Sequence, residues 1–493
     1  MTRVAEPSAG ESTRAARPRL PGTVAEIDAS APGPATGAFF DFDGTLIAGY
    51  SAGVFANDRV RRRDVGLGDV ARLVRLGVEA GLRVAEFADV LRLVATSMRG
   101  RTEEDVLEVG ERLFVQKIAE RVYPEARELV AAHTRRGHTV VLLSSATRYQ
   151  VAPLARDLGI DHIVCNEFEV MDGVLSGEVH TPVIWGASKA TAAQRFAAAN
   201  AVDPARSYFY ADGDEDAAFM YLVGQPRPTN PRRGLERVAR KRGWPILRFD
   251  SRGTVGPVGV VRNLLGVAAL APATAAGIVV GLVTHERRTG VDFMLVRWVD
   301  TLFALSGVKL RVQGREHAWA RRPAVFVFNH RNYFDVLMAG RIIERNFTAV
   351  AKKELLSNPL IAGLGKLVDA VFLDRDDPNA AIDALQPVQE AVRNGISLLI
   401  APEGTRSPTR EVGPFKKGAF RIAMAAGVPI VPVVIRNADD VGPRDATFMR
   451  PATVDICVLP PITTDGWTLD CLDDEIAAVR QLFVDTLADW PAD

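Results

Sequence analysis

Gly37-Ala38-Phe39-Phe40-Asp41-Phe42-Asp43-Gly44-Thr45-Leu46 is a short apolar run that delivers two aspartates on alternate positions and then a turn glycine. Side chains two apart on a strand leave from one face, so this spacing points Asp41 and Asp43 into one cleft at the strand's end. Two carboxylates so placed repel each other, and a hard cation such as Mg2+ relieves the repulsion. Phosphoryl transfer uses such a set: one carboxylate attacks phosphorus, its neighbour moves a proton, and a metal offsets the charge. Alone, the pattern fits a solvated surface turn equally well, so the rest of this half decides.

Three later features accompany it. The apolar run Thr139-Val140-Val141-Leu142-Leu143 ends in Ser144, whose hydroxyl is placed either for a phosphate oxygen or for capping the next helix. Lys189 stands out in a chain rich in arginine, although a solvated helix would also hold it. Ser207-Tyr208-Phe209-Tyr210-Ala211 reads as a strand opening onto Asp212-Gly213-Asp214-Glu215-Asp216, a cluster of acids where a metal would sit.

This ordered set resembles the haloacid-dehalogenase-type phosphatases over about residues 38 to 230. The resemblance implies a doubly wound parallel α/β sheet with a helical cap. It also implies Asp41 as nucleophile, Asp43 as general acid and base, and Ser144 and Lys189 as phosphate holders. Mg2+ would be bound by Asp41, the Asp43 carbonyl and Asp212, with Asp216 in support. The Arg-rich, apolar-periodic stretch from Ile47 to Arg121 falls where the family inserts its cap. Within the family the phosphoserine phosphatase subgroup is most similar, but Ser144-Ser145-Ala146 and Asp212-Gly213 depart from its Ser-Gly-Gly and Asp-Ser. Phosphoserine as substrate therefore does not follow.

A chain of 493 residues exceeds one ordinary hydrophobic core, so a second catalytic unit is expected. Pro323-Ala324-Val325-Phe326-Val327-Phe328 reads as a strand that delivers Asn329-His330-Arg331-Asn332-Tyr333-Phe334-Asp335. Histidine titrates near neutrality and can take a proton from an alcohol, and a carboxylate five residues on can fix its tautomer. Gly395 to Ile400 is another strand, followed by Glu403-Gly404-Thr405-Arg406-Ser407, where a glycine turn presents a guanidinium suited to bidentate contact with phosphate. Lys416 and Lys417 add charge, and Val428-Pro429-Ile430-Val431-Pro432-Val433 is a further strand.

These blocks, with Ala370 to Asp377 between them, resemble the glycerophospholipid acyltransferases over about residues 290 to 490. This family includes the enzymes that acylate 1-acylglycerol-3-phosphate. The resemblance implies a second α/β domain with His330 as general base and Asp335 as its orienter. Glu403, Gly404, Thr405 and Arg406 would form the acceptor-phosphate site, with Phe372 and Arg375 contributing. The acceptor would be lysophosphatidic acid, and the acyl donor acyl-CoA or acyl carrier protein.

Between the two lies a basic stretch, Pro231 to Arg252, then the uncharged run Asn263 to Thr284. Such a run beside basic residues suits a membrane-associating helical hairpin in one leaflet, or else a buried core helix. The expected division is a disordered tail over 1–37, the phosphatase at 38–230 with its cap at about 47–121, a linker and hairpin at 231–289, and the acyltransferase at 290–493. Lys+Arg 60 balances Asp+Glu 60, so net charge gives no argument for nucleic acid. Cys165, Cys457 and Cys471 lack CxxC spacing, which fits a reducing compartment, and the first residues lack the apolar core of a secretory signal. Together these place the enzyme at the cytoplasmic face of the cell membrane. Three readings stay open: a bifunctional lipid enzyme, an acyltransferase joined to a phosphatase for phosphoserine or another soluble metabolite, and a scaffold whose first half only binds phosphate.

Overall fold

The computed structural model describes residues 20–62, 87–249, 251–252, 255–357, 359–373, 386–407, 409 and 411–491. They fall into two compact α/β units, one within Arg17–Gly253 and the other within Thr254–Asp493.

The first unit contains β1 (Thr36–Phe40), β2 (Thr139–Thr147), β3 (His162–Asn166), β4 (Phe168–Met171), β5 (Val174–Val179), β6 (Asp203–Ala211) and β7 (Gln225–Pro228). Five of these form a parallel sheet in the order β3-β2-β1-β6-β7, and β4 and β5 form a separate antiparallel hairpin. Residues on both faces of β1 are buried, as a parallel strand covered by helices on each side requires. Phe40 pairs with Tyr210 and with Leu142, so β1, β2 and β6 release their C-terminal ends at one edge of the sheet. Ligand sites of open α/β sheets form at such an edge.

The cap expected after β1 appears as helices Ser51–Arg61, Phe87–Thr96 and Glu103–Leu113. Residues 63–86 of that stretch lie outside the described residues. Leu91 and Ala95 pack with Val106, Phe168, Leu175 and Val179 in a small core shared with the β4–β5 hairpin. The capping structure thus includes a β-hairpin that hydrophobic periodicity did not announce.

Two stretches differ from expectation. Of the tail expected to be disordered, Pro21–Ala29 is a helix that buries Val24 and Ile27 in the first unit's core. Two apolar anchors are too few to give a readable helical period, although Pro21 opens the helix where a proline's missing N–H costs nothing. The basic stretch read as a linker belongs to the same unit. Helix Arg233–Arg242 buries Leu235 and Ala239, while Leu247 and Phe249 enter the core beside Tyr123.

The second unit holds β8 (Val308–Gln313), β9 (Val325–Phe328), β10 (Phe347–Lys352), β11 (Val371–Leu373), β12 (Ser397–Ile400), β13 (Ile430–Ile435) and β14 (Ala452–Val458). They form one sheet in the order β11-β10-β12-β9-β13-β14-β8, parallel except between β13 and β14. The strands delivering the two motifs, β9 and β12, are neighbours, with Ile400 opposite Val327.

Ahead of this sheet, Pro257–Ala268 and Leu270–Thr284 form a nearly continuous helical stretch, long and apolar enough to cross a membrane. It turns at His285, in left-handed conformation, into helix Arg287–Ser306. A Cβ on Gly277 would lie 2.6 Å from the Gly290 carbonyl, so glycine at this crossing lets the two helices meet backbone to backbone. The second helix buries Met294, Trp298 and Leu302, whereas Leu282 is 70% and Val283 75% exposed on the first. The uncharged run is therefore not a buried core helix.

Candidate functional site

The first site grows from the shared edge of β1 and β6. Asp41, Asp212 and Asp216 are buried, and each offers a carboxylate oxygen within 4.8 Å of the others. Gly44, at φ +75°, turns the chain beside them, and a Cβ there would lie 2.4 Å from Asp212 Oδ2. The glycine of the motif is thus set by close approach as well as by backbone conformation.

Lys189, on helix Ala187–Ala199 and only 2% exposed, reaches into the cluster, with Nζ 2.9 Å from Asp41 Oδ1 and 2.6 Å from Asp216 Oδ1. It is not a solvated helix residue. Burial alone would lower its ammonium, yet Asp216 and Asp41 together hold it above its ordinary value. Burial pushes Asp41 well up, against Lys189 and with the help of Asp216 and Asp212. Burial likewise pushes Asp212 up to about 7, with Arg232 opposing and Asp216 and Glu215 adding. Lys189 and Arg232 face the three crowded carboxylates and Glu215, so acids outnumber cations, and the buried Asp216 Oδ2 has no hydrogen-bond partner. An all-oxygen, anionic and under-compensated set of this kind fits a hard divalent cation.

Asp43 has a different environment. Its carboxylate accepts hydrogen bonds from the Ser51 amide (2.7 Å) and hydroxyl (3.0 Å), and burial raises it to about 6 against those bonds. Its side chain stands outside the three-carboxylate cluster. Ser144 is buried within β2, three residues before its end, and accepts from the Ala146 amide at 3.1 Å. It is not a helix cap, because Thr147 and Gln150 cap the following helix. Asp214 turns away from the cluster and accepts from the Leu235 amide at the start of helix Arg233–Arg242.

Sequence reasoning missed Arg232 and Tyr50. Arg232 Nε lies 3.5 Å from Asp212 Oδ2 and donates to the Tyr50 hydroxyl at 3.1 Å, with the guanidinium over the Tyr50 ring. Arg232 was one of eight arginines and lysines in the basic stretch, and nothing local separates it from the rest.

The second site joins the ends of β9 and β12. Asn329 exchanges two hydrogen bonds with the Ile435 backbone (2.8 and 2.7 Å), which ties the end of β9 to β13. His330 Nδ1 is 3.1 Å from Asp335 Oδ2. Asp335 is fully buried at the first position of helix Asp335–Ile343, and the same oxygen also accepts the Asn332 amide at 2.9 Å. A carboxylate on Nδ1 leaves Nε2 as the nitrogen able to accept a proton.

Glu403, expected in the phosphate site, is engaged by two backbone amides. It is 5% exposed, and its two oxygens accept the His330 amide (2.8 Å) and the Gly413 amide (2.9 Å). Burial raises its carboxyl, while those two amides oppose the rise. A carboxylate bonded in this way ties the two motifs together. A second tie is the Ser407 amide donating to the His330 carbonyl at 2.6 Å.

Gly404 adopts φ +72°, and the Lys416 side chain lies over it, so that a Cβ would meet Lys416 Cε at 2.9 Å. Lys416 thus adds a cation where the glycine turn leaves room. Thr405 is exposed, and Arg406 lies beside Tyr333 with its guanidinium carbon 4.0 Å from the ring centroid. Phe372 sits on β11, separated from β9 by β10 and β12. Only β10 separates it from β12, whose following loop carries Glu403 to Arg406. Arg375 lies outside the described residues.

Comparison with known proteins agrees with this division. The haloacid dehalogenase-like hydrolase family matches residues 38–220, and the acyltransferase family matches 309–436. The "Inhibition of morphological differentiation protein" of Streptomyces azureus is 31% identical over 269 residues, 52% of this chain and 94% of that one. The chain belongs to the haloacid dehalogenase-like hydrolases and carries an acyltransferase domain behind them. Its second half is 35% identical over 188 residues, 37% of this chain, to the 1-acyl-sn-glycerol-3-phosphate acyltransferase of Limnanthes alba. The match spans 65% of that plant protein, a little under two thirds of its length. Among solved structures, the acyltransferase PlsC of Thermotoga maritima aligns with 48% of this chain and all of its own, at 23% identity and a TM-score of 0.39.

Proposed function

We propose that this fusion is a bifunctional phospholipid-biosynthesis enzyme that acylates 1-acylglycerol-3-phosphate to phosphatidic acid with one half and hydrolyses a phosphomonoester with the other. The observation that carries it is the pairing of His330 with buried Asp335, braced by Glu403, beside the cations Arg406 and Lys416.

In the acyltransferase half, the acceptor phosphate rests on Arg406 and Lys416, which places the free hydroxyl at His330. Nε2 takes the hydroxyl proton as the oxygen attacks the thioester carbonyl, and Asp335 stabilises the imidazolium. The tetrahedral centre collapses, the carbon–sulfur bond breaks, and the proton passes to the departing thiol. No covalent acyl-enzyme is needed. Acyl-CoA or acyl carrier protein serves as donor. The exposed apolar face of Pro257–Thr284 lies in the cytoplasmic leaflet of the cell membrane, where the lipid acceptor resides.

In the phosphatase half, Asp41 attacks phosphorus while Asp43 gives a proton to the leaving alcohol. Water then attacks the aspartyl-phosphate, and Asp43 takes back a proton. A carboxyl held near 6 suits both directions of that transfer. Ser144 and Lys189 hold phosphate oxygens. Asp41, Asp212, Asp216 and the Asp43 carbonyl would hold Mg2+, which offsets charge on the phosphoryl group.

The test uses the purified full chain in two assays: acyl transfer from acyl-CoA to lysophosphatidic acid, and phosphate release from a panel of phosphomonoesters with Mg2+ or with chelator. Turnover in both, the second abolished by chelator, is expected. Turnover of phosphoserine alone among the panel would make the first half a soluble-metabolite phosphatase. No phosphate release from any ester would leave it a phosphate-binding scaffold.

A further inference from the structure

Arg406, on which the acceptor phosphate is proposed to rest, already has an anionic partner. Its Nη1 is 3.0 Å from Asp445 Oδ1, and the same nitrogen donates to the Arg444 carbonyl. The guanidinium lies on the face of Tyr333. The two partners differ in kind. Tyr333 is 41% exposed but belongs to the histidine motif, and its chain neighbour Asn332 is buried and donates to the carbonyls of Ala438 (2.8 Å) and Gly442 (2.9 Å). The backbone under the ring is therefore anchored. Asp445 has a side chain 70% exposed and touches the guanidinium through a single nitrogen.

We propose that Asp445 is an intramolecular competitor for the acceptor's phosphate at Arg406, and that Tyr333 is the platform that holds the guanidinium in place while one anion replaces the other. A phosphomonoester carries between one and two negative charges at neutral pH and can take two N–H donors of the fork, where the single carboxylate contact takes one. The phosphate therefore displaces Asp445. An exposed ion pair is weak, so displacement costs little, and it is also weak enough to leave Arg406 ready for exchange. The carboxylate returns as product departs, and each new anion has to compete with it. Lys416, lying over Gly404, supplies attraction throughout.

This inference rests on the reading of Arg406 as the acceptor-phosphate ligand. Steady-state kinetics of the full chain with lysophosphatidic acid and acyl-CoA, using inorganic phosphate as a competing anion, test both. Asp445→Asn should lower the KM for lysophosphatidic acid and the inhibition constant of inorganic phosphate by the same factor, about twofold to fivefold, with the donor KM unmoved. Tyr333→Leu should raise the acceptor KM, and Tyr333→Phe, which keeps the ring face, should restore it. A merely structural Asp445 would move neither anion constant, and that result, or a rise in both, overturns the competitor role. Equal behaviour of the leucine and phenylalanine variants overturns the platform. If Arg406→Ala leaves the acceptor KM unchanged, the phosphate reading itself fails. If it raises that KM while Asp445→Asn lowers nothing, only the competitor fails.

Discussion

Glu403→Gln separates a brace from a phosphate ligand. In the native protein one carboxylate oxygen accepts the His330 amide at 2.8 Å and the other the Gly413 amide at 2.9 Å. Glutamine keeps one acceptor and replaces the other with an NH2, so a backbone N–H would face a donor in a site where the side chain is 5% exposed. Hydrogen bonds to a charged group contribute about 1.5–3 kcal/mol, and a buried donor left unpaired adds its own desolvation, so a loss of about 2–3 kcal/mol is expected. For a unit of this size each kcal/mol moves the midpoint by about 2–4 °C, which predicts a fall of about 4–12 °C in scanning calorimetry of the full chain. Because Glu403 holds the backbone of His330, kcat for acyl transfer should fall with it, while the acceptor KM changes little. An unshifted midpoint with a raised acceptor KM would refute the brace and return Glu403 to the phosphate site.

Asp41→Asn should abolish phosphate release, because an amide is a poor nucleophile, and leave acyl transfer near the wild-type rate. His330→Ala should lower the acyl-transfer kcat by about a hundred- to ten-thousand-fold, the usual span for a lost general base; a change of less than tenfold would move the base elsewhere. Leu282→Asp with Val283→Asp, at two of the most exposed apolar positions of the hairpin, should weaken sedimentation with anionic vesicles without altering phosphate release. His133 should subtract stability from the first unit in mild acid, opposite in sign to the raised carboxyls of Asp43 and Asp212. Burial holds His133 well below its ordinary value, with His138 and Arg227 adding, and its ring is shared between His138 (2.8 Å) and the Tyr210 hydroxyl (2.9 Å). Above about pH 6.5 both the folded and unfolded forms are neutral there. Below it the unfolded chain takes a proton that folded His133 refuses, so its contribution to stability falls as pH falls. Going from pH 7.5 to 5.5, the urea midpoint of His133→Gln should rise relative to that of wild type; an unchanged difference between the two proteins would remove His133 from the acid response.

Residues whose placement follows from the strand that carries them were legible in the sequence. Asp41, Ser144, Asp212 and His330 each stand at or just past the end of a short apolar run, and parallel pairing brings such ends to one edge. Lys189 was legible for another reason: a lysine in an arginine-rich chain invites a role that arginine's fork does not suit. What could not be read depends on which distant segments meet. Arg232 reaches Asp212 only because the segment after β7 packs back onto the first unit, and the basic stretch gives no sign of that. Glu403 was assigned by the company it keeps in its motif, but its partners, His330 and Gly413, are set by the pairing of β9 with β12 and by the loop beyond it. Helix Pro21–Ala29 went unread because its two buried side chains, three apart, form too short a pattern.

Asn263 decides how a shorter enzyme could be made. Its amide group donates to the Met449 carbonyl and accepts the Met449 amide, at 2.9 and 2.8 Å, and the Ser306 hydroxyl donates to it at 3.2 Å. Trp298 donates its indole N–H to the Gly266 carbonyl nearby. The apolar hairpin is therefore built into the catalytic unit as a beam is built into a wall. A truncation ahead of Arg287 would strip that wall of its polar joinery and uncover Trp298, so a detergent-free version is better sought by recolouring the outward residues of Leu270–Thr284 than by cutting them away.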